Sequence, residues 1–408
     1  MTHLKVDLKK YMDKKSILIF GVGELQQSII LKAKDMGLFV VGIDPCADAV
    51  CRNDVDAFEI VSGQDYEGTL AVARKYGISA LVTAATDKPL VMMARVANAL
   101  GLPFYTENTA IWSTDKYQMK QRFIEGGVPC ARGRLIHHSD EAKDLYFPVI
   151  CKPRDNSGSR GVKLCRNIEE LQECIDEALQ YSRMDTVLVE EFIEGKEYSI
   201  ESLHYNGKTE VIQFTEKRTT PFPYNVELGH VQPADLSNVQ RNAICNIIAD
   251  IASCMNFENC PSHTELKINE RGIFVIETSP RLGGDYITST LTPLSTGVNI
   301  EEQLIYLSLG KNVDTSHKYN QYSGIRFFSF DTDCVINAVP DYNDVMSWPY
   351  VIDYSFKLSV NDHVNQITSS LNRYGHIILQ AGDRESLDNA FARYETIIKD
   401  TCLSKSNI

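Results

Sequence analysis

Short apolar runs alternate with longer stretches of helical period through the first part of the chain. Lys15–Phe20 reads as a buried strand, Gly21-Val22-Gly23 as a turn, the next stretch through Lys34 as a helix, and Phe39–Ile43 as a second strand ending in Asp44. Strand, helix and strand in that order predict a parallel sheet. The pattern continues with Ala57–Val61, a helix over Tyr66–Tyr76, Ala80–Thr83, a helix over Lys88–Leu100 and a last strand near Leu102–Tyr105. After Tyr105 the pattern changes. A helix starts at Ser113-Thr114-Asp115 and stops at Gly126-Gly127, and the stretches that follow are mostly strands: Phe147–Lys152, Val162–Cys165, Thr186–Phe192, Tyr198–Tyr205 and Phe214–Arg218. Two long helices, Ile168–Tyr181 and Asn238–Met255, interrupt them. Beyond Ser316 come Gly324–Asp331, Val351–Val360 and Gly375–Ala381, closed by a helix over Arg384–Lys399. No internal repeat or low-complexity linker breaks this order.

At about 150 residues per domain, 408 residues suggest two or three domains. Hydrophobic content of 43% and charged content of 23% are those of a globular protein. A net charge of −13 argues against a nucleic-acid partner, which needs a concentrated basic surface. The longest apolar runs fall short of a membrane span, and Met1–Lys15 is too charged for a secretory signal, so a cytoplasmic protein without a membrane partner is expected. Eleven cysteines without a C-x-x-C pair suit core positions in a reducing compartment rather than a zinc site.

Candidate chemistry concentrates at 263–285. Thr264–Ile268 and Ile273–Glu277 read as a hairpin closed by Glu270-Arg271-Gly272, which pairs Asn269 with Ile273, Lys267 with Val275 and Glu265 with Glu277. Two carboxylates opposed at roughly 5 Å repel unless a cation lies between them. Strand alternation places His263, Lys267, Ser279 and Arg281 on the same face, with Leu266, Phe274 and Ile276 behind. Lys116 stands in the first turn of its helix, where the dipole gives a cation nothing, which suggests a second purpose. Arg154–Gly161 is a polar, Gly-bearing loop whose amides can cradle phosphate oxygens or simply close a hairpin. Asp87, beyond the end of a strand, reads equally as a ligand contact and as a helix cap. Gly-Val-Gly at 21–23 invites a dinucleotide, but Gln26 occupies the third glycine's place and crowds a pyrophosphate.

The sequence of features resembles the ATP-grasp superfamily along nearly the whole chain: a β/α opening, Lys116 at a helix start, Lys152 on a strand, the Gly-bearing loop, Glu-Glu-Phe-Ile at 190–193 and two separated acids. His-Thr-Glu-Leu-Lys at 263–267 and Glu-Thr-Ser-Pro-Arg-Leu-Gly-Gly at 277–284 look most like the L-amino-acid ligase and related carboxylate–amine ligase group. The resemblance implies an α/β and α+β multidomain fold. Its parts would be an N-terminal parallel β/α domain over 1–110, an ATP-grasp domain over 111–315 with a small subdomain over about 111–198, and a C-terminal α+β lid over 316–408.

It also implies roles. Lys116 and Lys152 would contact the phosphates of ATP, and Ser157, Gly158, Ser159 and Gly161 would close over them. Glu190, Glu191, Phe192 and Ile193 would hold adenine, and Glu197 the ribose. Glu265 and Glu277, with Ser279 where the family usually has Asn, would hold magnesium or manganese. Lys217, Arg281 and His263 would serve the reaction, and Arg281, Gly283, Gly284 and Asp285 the acceptor pocket. The expected activity is an ADP-forming carbon–nitrogen ligase. It would join a small-molecule carboxylate and amine, amino acids above all, through an acyl phosphate, in a chain that assembles as a homodimer. The alternatives are a purine-precursor-type carboxylase or formyl-type ligase and a non-catalytic ATP-binding protein. The first calls for a basic phosphate pocket in the N-terminal domain, and the sequence shows no such cluster.

Overall fold

Strand Ser16–Phe20 is buried along its whole length, Leu18 and Phe20 facing one core and Ile17 and Ile19 another. Burial on both faces is what a parallel strand between helix layers requires. It lies second from the edge of a four-stranded parallel sheet ordered 57–60, 39–44, 16–20, 78–83. The computed structural model describes residues 14–403 apart from 157, 159, 223, 331 and 332. The expected strand at Leu102–Tyr105 does not form. Pro103 has no N–H to give a ladder, and Tyr105 is buried in the core instead.

A small antiparallel sheet, ordered 133–136, 187–191, 149–153, 163–165, carries helix Ile168–Gln180 on its back. The largest sheet is antiparallel throughout and runs 272–279, 260–269, 196–205, 208–219, 227–232, 322–327, 375–381, 351–356. Strands from beyond residue 316 therefore continue the same sheet that carries the acidic hairpin. A C-terminal piece merely packing back on the chain does not describe this arrangement. The ladder between Gly229–Gln232 and Ser323–Arg326 makes the joint. No helix among the described residues is long and apolar enough to cross a membrane.

Register at the acidic hairpin differs from expectation in two places. The turn holds two residues, not three, because Asn269 pairs with Gly272 while the Asn269 Oδ1 accepts a hydrogen bond from the Arg271 amide at 2.8 Å. Lys267 consequently faces Phe274 instead of Val275. A bulge at Ile276 then inserts one extra residue and restores Glu265 opposite Glu277. The same bulge turns Ile276 from the back of the sheet onto the cavity side.

Candidate active site

Two cavities meet on this hairpin. The smaller, about 110 Å³, lies between the small sheet and the large one and is lined by Lys152, Glu190 to Ile193, Glu197, Phe222, Lys267, Glu265 and Ile276. The larger, about 530 Å³, lies toward the parallel sheet and is lined by Asp87, His263, Ser279 and Arg281. Lys116, Asn156, Arg160 and Glu277 line both. The face expected to hold His263, Lys267, Ser279 and Arg281 together is thus divided, with Lys267 in the smaller cavity and the other three in the larger.

Side chains in the smaller cavity are fixed by short ion pairs. Glu190 takes Lys152 at 2.5 Å and Lys120 at 2.6 Å, all three buried. Burial alone would raise the Glu190 carboxyl; the two ammonium groups outweigh it and hold the acid below its usual range. The Glu190 carboxylate therefore anchors two lysines. Phe192 and Phe222 meet edge to face at 5.2 Å, and the Lys267 ammonium lies 5.5 Å from each ring. Glu191 accepts from the Arg132 amide, Ile193 is buried, and Glu197 accepts from the Asn225 side chain at 3.3 Å. Gly158 and Gly161 are left-handed, and a Cβ on Gly161 would lie 2.9 Å from Pro153 and Tyr181, so this end of the loop admits only glycine. Ser157 and Ser159 lie outside the described residues.

The two acids are neutralised by chain cations. Lys116 Nζ donates to Glu277 at 2.7 Å, which answers why a lysine opens that helix: Asp115 caps it through the amides of Tyr117 and Gln118 while Lys116 reaches across. Lys217, with 2% of its side chain exposed, donates to Glu265 at 2.7 Å and lies 3.4 Å from Glu227 and 4.0 Å from Glu197. Burial would lower the Lys217 amine, but these carboxylates raise it well above its normal value. His263 sits between Glu201, at 2.6 Å from Nδ1, and Glu265, at 3.4 Å from Nε2. Against burial, the Glu201 carboxylate raises it to about 9, so the ring is an imidazolium. A Cβ on Gly283 would fall 2.7 Å from His263 Nδ1 and 3.0 Å from Glu201, so glycine lets this strap cross the pair.

Glu265 and Glu277 oppose each other across the hairpin, and such a pair would suit magnesium, which takes one or two carboxylates and fills its shell from phosphate and water. Among the described residues no group of three His, Cys, Asp or Glu forms a dedicated metal cage. Ser279, expected beside the metal, donates instead to Asp87 at 2.6 Å. Asp87 is not the helix cap, which is Pro89; its carboxylate takes Arg281 Nε at 2.9 Å and Nη2 at 3.3 Å. The parallel sheet thereby holds Arg281 over the hairpin, and a backbone bridge between Ala84 and Leu282 reinforces the contact.

Sequence reasoning missed several residues. Asp285, expected at the acceptor, is clamped by Arg373 at 2.5 and 2.7 Å and lies 3.3 Å from His230; burial would raise its carboxyl, but the Arg373 guanidinium and the His230 hydrogen bond hold it below the carboxylate range. Arg373 stacks 3.7 Å from the Phe327 ring, so the C-terminal region, in which no motif was read, contributes a half-buried cation to Asp285, and neither residue lines the two cavities. Glu201 and Glu227 were missed as well. So was a row of cations: Lys88, Arg95 and Arg183 line the outer part of the larger cavity, although no basic cluster is visible along the sequence. Gln26 does crowd the first turn, bonding Ala84 O and the Gly23 amide.

A family model for the ATP-grasp domain matches residues 145–289, the span that contains three of the four strands of the small sheet, the loop and both acids. This part of the chain is an ATP-grasp domain. The uncharacterized protein y4rH of Sinorhizobium fredii is 25% identical to it over 76% of this chain and 66% of its own length. An L-amino acid ligase from Bacillus licheniformis superposes with a TM-score of 0.82 at 19% identity, covering 94% of this chain and 98% of that one. A phosphoribosylglycinamide synthetase from Anaerococcus prevotii gives 0.75 at 20%, covering 95% and 98%. At these identities the two structures establish the ATP-grasp fold.

Proposed function

We propose that this ATP-grasp protein is an ATP-dependent carboxylate–amine ligase acting on amino-acid-like substrates. ATP occupies the smaller cavity, adenine between Phe192 and the backbone of Glu191 and Ile193, ribose at Glu197, phosphates toward Lys152, Lys116 and the 154–161 loop. A cavity of about 110 Å³ is below the ~300 Å³ at which small-molecule sites begin, so nucleotide entry requires this cavity to widen. The substrate carboxylate lies in the larger cavity and attacks the γ-phosphorus; the bond to the β–γ bridging oxygen breaks and ADP leaves. The amine then adds to the acyl carbon, and phosphate departs with the acyl–oxygen bond. Lys116 and Arg281 take up the charge that develops on the phosphoryl and carbonyl oxygens, as positioned cations do in phosphoryl transfer. Lys217 and the His263 imidazolium hold Glu265 in place. Magnesium at Glu265 and Glu277 would neutralise the phosphates.

One observation carries the reading: the two cavities share Lys116 and Glu277, so a nucleotide in one and a carboxylate in the other converge on a single charged point. The L-amino acid ligase among the structural neighbours is consistent with it. The test follows phosphate release from ATP and magnesium with a panel of amino acids, with hydroxylamine to trap an acyl phosphate. Amino-acid-dependent release with hydroxamate formation is expected. Release only with bicarbonate or formate, or ATP binding without release under any condition, overturns it.

A further inference from the structure

Three of the four acids that line the larger cavity are paired with cations, and the fourth, Asp155, meets neutral donors. Asp87 holds Arg281, Glu277 holds Lys116, and Asp115 takes Arg154 through two bonds of 2.9 and 2.7 Å. Asp155 accepts from the Ser182 hydroxyl and the Arg183 amide. The outer cations are not matched in this way. Lys88 is exposed and makes no ion pair with the described residues. Arg95 lies against the Tyr66 ring at 4.6 Å, with Glu107 only loosely at 3.7 Å. The Arg183 guanidinium donates to Gln64, a neutral amide, at 2.6 Å.

Two regions distant in sequence bring these side chains to one cavity. Lys88 precedes helix Leu90–Leu100, Arg95 lies on it, and Arg183 follows helix Ile168–Gln180. Val91 and Arg95, four apart, share a helix face, so an apolar side chain lies beside Arg95 in the cavity lining. In a chain of net charge −13, undercompensated cations lining one cavity attract an anion and raise its local concentration. Arginine suits this role because its planar fork matches carboxylate and phosphate oxygens.

We infer that the substrate filling this cavity carries an anionic group besides its reacting one, a phosphate or a second carboxylate, bound by Lys88, Arg95 and Arg183. The inference rests on the ligase reading for which end reacts, and names the substrate class that reading leaves open. It is tested by calorimetry at low salt on the full chain saturated with magnesium and ADP, so that added anions do not occupy the nucleotide cavity. The probes are serine, glutamate and O-phosphoserine.

At least one anionic probe binds ten times or more tightly than serine, and which one does separates carboxylate from phosphate. That preference shrinks to about twofold or less in a Lys88→Ala, Arg183→Ala double variant and with added salt. It persists in Arg95→Lys, which keeps the charge. Equal binding of serine and both anions, a preference that survives the double variant, or no binding of any probe overturns the inference. The ligase reading fails separately: absent phosphate release with an intact anion preference sinks the reaction and leaves the site, whereas amino-acid-dependent release without the preference does the reverse.

Discussion

The smaller cavity and the larger one are built on different principles. Most of the smaller one comes from a single run, Ile150 to Glu197, folded on the hairpin, and its charges are closed among themselves in the Lys120–Glu190–Lys152 cluster. The larger one exists only where the parallel sheet, the loop after helix Ile168–Gln180 and the hairpin come together. Its central contact, Asp87 with Arg281, joins residues 194 apart. A buried, self-neutralised site presents one shape to one ligand. A site assembled across several elements changes whenever any of them moves, so the varying part of the reaction belongs there.

The sharpest way to break this contrast is Arg281→Ala. If Arg281 serves the reacting end and not the nucleotide, phosphate release falls roughly 10²–10³-fold, about 3–4 kcal/mol of transition-state stabilisation, while ADP affinity changes less than about threefold. Single-turnover release and ADP titration check the two halves. An equal fall in both would merge the cavities into one functional unit.

Next in size is Asp285→Ala, which leaves the half-buried Arg373 without its acid. Breaking this pair from one side costs about 2–3 kcal/mol, less than for a fully buried pair, read as a lower urea midpoint. The simultaneous Asp285→Ala, Arg373→Leu change recovers much of it if the clamp is structural. An unchanged midpoint in the single variant would show that the C-terminal strands do not brace the larger cavity.

Glu301 tests the seam that holds the parallel sheet in place. It is buried on helix Ile300–Ser308 and accepts from Ser28 Oγ at 2.5 Å, and burial raises it to about 7. Because the folded state favours the protonated acid, the unfolded chain ionises first as pH rises. Stability is therefore complete below the unfolded value near 4.5, falls between there and about 7, and is level above. The loss is about 3–4 kcal/mol at most. Urea midpoints from pH 5 to 8 check it: Glu301→Gln should flatten this component, and an unchanged profile would place the dependence elsewhere.

How much was legible follows the same division. Strands and helices with a strong period can be read locally because the pattern lies within one element, whereas the 150–197 run was read through its resemblance, since Glu190 meets its partners Lys152 and Lys120 only in the fold. The pairing of Glu265 with Glu277 was recovered through two offsetting departures, a shorter turn and the bulge at Ile276, neither visible in a hydrophobic pattern. Arg373 offers no signal, since a cation in a polar stretch looks solvated until Phe327 and Asp285 are brought to it. Lys88, Arg95 and Arg183 were missed for a related reason: a search for a basic pocket within the N-terminal region cannot see a cavity that takes one of its cations from residue 183.

The smallest effect is expected at Glu197, and it decides whether the smaller cavity is closed in function as well as in shape. Removing this carboxylate leaves Lys217 still paired with Glu265 and Glu227, so the cluster around it should persist. If Glu197 holds ribose, Glu197→Ala weakens ADP about tenfold, near 1.4 kcal/mol, and leaves 2′,3′-dideoxy-ADP unchanged. That comparison forms a cycle between side chain and hydroxyls, and the coupling reports their contact alone. Should the dideoxy nucleotide weaken equally, Glu197 acts by holding Lys217 and Lys267, each 4.0 Å away, and the nucleotide cavity depends on the charge network beneath it.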